Sequence, residues 1–119
     1  MPRKISAKKI KDLCNIALDD LKAVDINAFD VEKTSSFASY ILLATGTSNR
    51  HVKSLAEKVV DDLKDNKVQI LGIEGTESQD WILIDAGDVL VNVMNEESRE
   101  HYDLESIWDR ALSQIDSRS

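Results

Sequence analysis

Asp80-Trp81-Ile82-Leu83-Ile84-Asp85-Ala86-Gly87-Asp88-Val89-Leu90-Val91-Asn92-Val93-Met94 consists of two apolar runs joined at a glycine, and its reading decides the fold. Each run has the period of a strand, and Ala86-Gly87 between them makes the pair a β-hairpin. A two- or four-residue loop centred on Ala86-Gly87 pairs Ile84 with Val89, Ile82 with Val91, Leu83 with Leu90 and Trp81 with Asn92. One face then carries Ile82, Ile84, Val89, Val91 and Val93, a β-branched set that belongs against helices. The opposite face carries Trp81, Leu83, Asp85, Asp88, Leu90, Asn92 and Met94. A large aromatic, a thioether, leucines and a few polar groups suit the anchors and rim of a protein interface. The blander expectation is that a helix or loop of the same chain covers this second face. A three-residue loop would exchange the two faces.

Upstream, Ser6 is a helix N-cap, and Ile10, Leu13, Cys14, Ala17, Leu18 and Leu21 form one apolar stripe at helical spacing. Asp25 to Val31 reads as a strand. Phe37 to Thr45 follows, and its core Tyr40-Ile41-Leu42-Leu43-Ala44 is continuously apolar, as in a central strand covered on both faces. Thr45-Gly46-Thr47-Ser48 is a strand-to-helix turn with a serine cap. Val52, Leu55, Ala56, Val59, Val60 and Leu63 then form the stripe of a second helix that stops at Asn66. Val68 to Ile73 is a third strand. Beyond the hairpin, Asn95 caps a short helix with Glu96 and Glu97 in its first turn, and Asp103 caps another from Leu104 to about Leu112. Together these elements predict one α/β (α+β) domain over residues 1–119. It has a mixed sheet of about five strands with helices packed on it, an ordered core of about 5–112 and a frayed tail over 113–119.

Charge and composition narrow the function. The chain carries a net charge of −7 and scattered Lys and Arg, so it lacks the basic face that grips phosphates. An acidic balance suits a basic protein partner. No apolar run reaches the roughly 18 residues that span a bilayer. The single cysteine, Cys14, fits a reducing cytoplasm. It lies on the first helix's core stripe and reads as a packing residue. His51 and His101 lie far apart with no metal-ligand spacing, so no metal and no cofactor is expected.

The hairpin, together with Glu96-Glu97-Ser98-Arg99-Glu100-His101-Tyr102-Asp103-Leu104-Glu105, resembles the signature of the ribosomal silencing factor family, the iojap-related group. Tyr40-Ile41-Leu42-Leu43-Ala44-Thr45-Gly46-Thr47-Ser48-Asn49-Arg50-His51-Val52 resembles that family's second motif, and Ile73-Glu74-Gly75 its third. The resemblance runs from about residue 5 to 112. It implies a nucleotidyltransferase-like core without the catalytic motif, and a cytoplasmic translational repressor that is not an enzyme. Family members bind the large ribosomal subunit through its ribosomal protein fourteen, block joining of the small subunit and slow translation when nutrients are scarce. The partner-binding residues it implies here are Trp81, Leu83, Asp85, Asp88, Leu90, Asn92 and Met94, with limited rRNA contact and no membrane. Tyr102 belongs to either core or interface. Family members can also be homodimers. Ala86, Asn92 and Met94 stand where an aromatic, His and Phe are common, which makes this surface less aromatic.

Two other function classes compete. A nucleotidyltransferase-like enzyme would cradle a phosphate at Gly46-Thr47-Ser48 and hold magnesium on Asp85 and Asp88. That motif lacks the glycine density and lysine of a phosphate loop, and Asp beside a hairpin turn is ordinary turn chemistry. A homodimeric adaptor would bury the same hairpin face against its copy. Trp108 falls on an apolar stripe with Leu104, Ile107, Ala111 and Leu112 and reads as core.

Overall fold

A computed structural model describes residues 5–33 and 38–103. The chain runs α1 (Ala7–Asp20), β1 (Val24–Asp30), β2 (Tyr40–Gly46), α2 (Asn49–Asp65), β3 (Gly72–Glu74), β4 (Trp81–Asp85), β5 (Val89–Asn95) and α3 (Glu96–Tyr102). The five strands form one mixed sheet in the order β1-β2-β5-β4-β3. β2 and β5 at its centre are parallel, and every other pairing is antiparallel. The expected mixed α/β architecture of five strands with packed helices is what the chain adopts. The segment 104–112 and the tail, with Leu104, Ile107 and Trp108, lie outside the described residues.

The helices begin where their caps lie. Ser6 accepts a hydrogen bond from the Lys9 N–H, and Ser48 from the His51 N–H, each satisfying one orphan donor of the first turn. Both long helices end the same way. Lys22 and Lys67 take left-handed backbone at φ 62° and 61°. Lys22 N–H donates to the Asp19 carbonyl and Ala23 N–H to that of Leu18, while Lys67 and Val68 donate to Lys64 and Leu63. These are paired Schellman caps. Leu21 is thus a cap at the end of α1 and 37% exposed, not a stripe residue as expected. The second cap also explains why the third strand is Gly72–Glu74 and not Val68–Ile73. Val68 is buried under Leu63 in closing the helix, and pairing begins only where Leu71 N–H reaches the Asp85 carbonyl.

The sheet is covered on both faces by unequal cores. Helices α1 and α2 lie on one face, where Cys14, Leu18, Val59 and Leu63 meet Leu42, Ile82, Ile84, Val89, Val91 and Val93. On the other face a smaller cluster joins Val31, Ala38, Ile41, Leu43 and Met94, with Phe29, Trp81 and Leu90 packed at its margin. β2 supplies both cores, Leu42 and Ala44 to the first and Ile41 and Leu43 to the second, as its continuous apolar run predicts.

Cys14 has no exposure, and burial pushes its thiol from 9.0 up to about 12. The folded protein is therefore expected to resist thiol reagents until it unfolds. Between those values the native state keeps a proton that the unfolded chain releases, so stability falls as pH rises through the window. Urea titrations at pH 8 and pH 10 should show a loss of about 1.4 kcal/mol in the wild type that Cys14→Ala lacks. An equal loss in both proteins would place the titrating group elsewhere.

Candidate partner-binding site

The hairpin forms with the expected faces but a different register. Ile84 lies opposite Val91, Ile82 opposite Val93, Leu83 opposite Asn92, and Trp81 opposite Met94. Ala86 N–H donates to the Val89 carbonyl at 3.0 Å, so the loop is Gly87-Asp88 and not centred on Ala86-Gly87. Gly87, at φ 81°, takes the left-handed position that the turn requires. Asp85 Oδ1 accepts the Gly87 N–H at 2.9 Å and closes the turn from the strand side. The slip is an even number of residues, so every side chain stays on its predicted face.

The second face divides into a buried centre and a half-exposed flank. Met94 has no exposure and Asn92 5%. Neither is the surface contact that the sequence reading assigned. β5 lies between β2 and β4, so its second face falls under the same small cluster that covers Ile41 and Leu43. Trp81, Leu83 and Asp85 on β4, Asp88 in the turn and Leu90 at the margin remain half-exposed. Tyr102 of α3 is 49% exposed, which places it at the surface and not in the core.

Asn92 acts on this surface from beneath it. Its Oδ1 accepts the Trp81 Nε1–H at 2.9 Å, and the Tyr102 ring lies 4.7 Å from the Trp81 ring, tilted by 47°. The indole is held by a hydrogen bond on one side and by an aromatic neighbour on the other, so little side-chain entropy is left to lose on docking. Asp80, which leads into β4, accepts from the Ser78 hydroxyl, and that bond holds its carboxyl below the ordinary value.

Several tertiary ties were not singled out from sequence, although the Asn95 cap itself was. Asn95 caps α3 by accepting the Ser98 N–H, and its Nδ2 donates to Asn49 Oδ1 at 2.8 Å, tying the starts of α3 and α2 together. His51 Nδ1 accepts the Thr47 N–H and its Nε2 donates to the Leu21 carbonyl at 2.7 Å, joining the end of α1 to the start of α2. Arg99 donates to Thr45 Oγ1 and the Asp25 carbonyl in a cleft of about 410 Å³. Tertiary contacts between distant segments assign these roles, and no spacing rule reports them.

The elements of a phosphate-transfer site are not brought together. In the parallel register Tyr40 lies beside Val89 and Gly46 beside Asn95. The Asp85–Asp88 turn and the Gly46–Ser48 turn are therefore at opposite ends of the sheet, about 20 Å apart at the usual strand rise. Gly46 has a packing role instead, since a Cβ there would lie 2.8 Å from both the backbone nitrogen and Cγ2 of Val52. Among the described residues no group of three or more His, Cys, Asp or Glu is placed to hold a metal ion.

Fold and site together define a five-stranded mixed α+β domain whose hairpin carries a preoriented tryptophan at its open end and two aspartates at its turn, all on β4 or just beyond it. Residues 4–119 match the family described as "Ribosomal silencing factor during starvation". A ribosomal silencing factor of Chromobacterium violaceum is 46% identical over 101 residues, covering 85% of this chain and 83% of that protein. Another, from Bacillus subtilis, is 35% identical over 113 residues, covering 94% and 96%. A crystal structure of a Chromobacterium violaceum protein superposes with a TM-score of 0.86 at 44% identity, covering 88% of each chain. The chain belongs to the ribosomal silencing factor family, regulators of translation that associate with the ribosome.

Proposed function

We propose that this protein is a cytoplasmic translational repressor that binds the large ribosomal subunit through its ribosomal protein fourteen and sterically blocks joining of the small subunit. The observation that carries the reading is the held Trp81 on a half-exposed face of a ribosomal silencing factor chain. Trp81 and Leu83 are the anchors, and Asp85 and Asp88 face Lys or Arg of the basic ribosomal protein. A standard interface of roughly 1,600 Å² in total is within the reach of a domain this size. A net charge of −7 repels rRNA phosphates, so contact concentrates where protein shows through the rRNA. Occupancy of the intersubunit face is sufficient for the effect, and slower initiation follows from it, a role in keeping with silencing under nutrient limitation.

Sucrose-gradient sedimentation with purified subunits, at magnesium levels that permit joining, tests this. The wild type should travel with the large subunit and suppress the joined peak, and a Trp81→Ala, Asp88→Lys double variant should do neither. Suppression by both proteins would keep the function and refute the hairpin face. Wild-type protein remaining at the top of the gradient would refute the function.

A further inference from the structure

The sheet ends at β3, which has no strand neighbour beyond it among the described residues. Helix α2 packs chiefly on β2, β5 and β4 and covers β3 far less. Ile73 of β3 is 39% exposed and Leu71 just before it 61%. Ile73 points to the helix face, because it lies opposite Ile84 of the main core. Beside it runs a groove of about 350 Å³ floored by Ile82, Ala56 and Val60. An edge strand next to an apolar groove invites a further strand, and proteins normally blunt such an edge with charge or cover.

The charges around this edge select the occupant. Glu57 and Asp61 of α2 rim the groove, and Glu74 and Glu77 lie exposed on and just beyond β3. Among the described residues the one cation on the rim, Lys53, is already 4.0 Å from Glu57. A second copy of this chain would bring the same carboxylates against themselves, and nucleic acid would bring phosphates against them. A cationic strand with apolar residues at alternate positions satisfies both parts, backbone to the edge and side chains to the groove. We propose that the β3 edge and the α2 groove form a second docking surface, which takes an extended, Lys/Arg-rich protein segment as a sixth strand. This surface lies on the opposite sheet face from Trp81 and can be occupied independently of it.

The probe is a fluorescein-labelled decapeptide of alternating Lys and Val, titrated into the full-length protein at 150 mM salt. Binding with a Kd on the order of 10–100 μM is expected for so small a contact, with amide NMR shifts centred on residues 71–77 and the outer side of α2. Ile73→Lys should weaken it at least ~10-fold, and Glu57→Lys with Asp61→Lys by a similar factor, whereas Asp12→Lys, away from the groove, should not. A peptide N-methylated at alternate residues should bind at least ~10-fold more weakly, since it cannot pair along an edge. Shifts centred elsewhere, equal binding of the N-methylated peptide, or a weakening by Asp12→Lys equal to that by the groove variants would overturn the proposal. So would a dimer in sedimentation equilibrium that Ile73→Lys dissolves, because the occupant would then be a second copy.

Discussion

Replacing Gly75 by Ala should lower the unfolding free energy by about 2–5 kcal/mol, and urea denaturation would show it as a midpoint shift of about 2 M. Two independent costs meet at this residue. Gly75 sits at φ 86°, where any side chain costs roughly 1–2 kcal/mol. An ideal Cβ would also lie 2.0 Å from the Trp81 carbonyl oxygen, a backbone atom that no rotamer change can move. Relieving that overlap shifts either the end of β3 or the start of β4, at a further ~1–3 kcal/mol. Two other glycines separate the costs. Gly87 has φ 81° but only the Leu71 Cδ1 within reach, at 3.9 Å; Gly87→Ala should show the dihedral cost alone, roughly 1–2 kcal/mol. Gly72 has an unstrained φ and nothing within 4 Å, so Gly72→Ala should be nearly silent. Equal losses at Gly75 and Gly87 would mean that the β3–β4 connection yields freely and that the contact with Trp81 constrains nothing. The Ile73-Glu74-Gly75 motif thus has a physical reason: its glycine lets the end of β3 lie hard against the Trp81 carbonyl of the neighbouring strand.

The reach of the sequence reading follows from which features are local. Caps at Ser6, Ser48 and Asn95 are local chemistry, and all three accept the hydrogen bonds expected of them. Strand faces were legible because a period of two survives an even slip of register. The register itself was not, because Ala86, Gly87 and Asp88 are all acceptable in a turn, and the closing bond between Ala86 and Val89 selects among them. Val68 to Leu71 looked like strand by composition, yet the left-handed Lys67 draws Val68 into a helix cap and delays the pairing to Leu71. The misplacement of Met94 and Asn92 had a readable remedy. Val89-Leu90-Val91-Asn92-Val93-Met94 is almost as continuously apolar as the central Tyr40–Ala44 run. A strand of that kind belongs in the middle of a sheet with both faces covered. Reading the whole second face as interface hid this. Trp81 and Leu83 stay half-exposed because β4 lies one strand farther out.

That difference between β4 and β5 sets opposite expectations for two residues paired across the hairpin. Trp81→Ala should weaken binding to the large subunit by at least ~30-fold, the effect of removing an interface anchor of about 2 kcal/mol or more. It should lower stability only by about 1–2 kcal/mol, since the indole is half-exposed and makes one hydrogen bond. Met94→Ala should do the reverse. It empties a fully buried position of the second core and should lower stability by about 2–5 kcal/mol, while the folded fraction binds within ~3-fold of wild type. Trp81→Phe should fall between the wild type and Trp81→Ala in both quantities: it keeps a ring against Tyr102 but leaves Asn92 Oδ1 without its donor, at about 1 kcal/mol. Thermal or urea unfolding paired with equilibrium titration of labelled protein into large subunits, at a temperature where every variant is fully folded, measures both quantities. If Met94→Ala abolishes binding there and Trp81→Ala does not, then the ribosome reads the shape of the covered face through the small core and not the tryptophan, and the contact must be sought nearer α3. If the expected pattern appears, the two residues divide their work by position in the sheet. The interior strand maintains the platform, and its outer neighbour carries the side chain that reaches the partner.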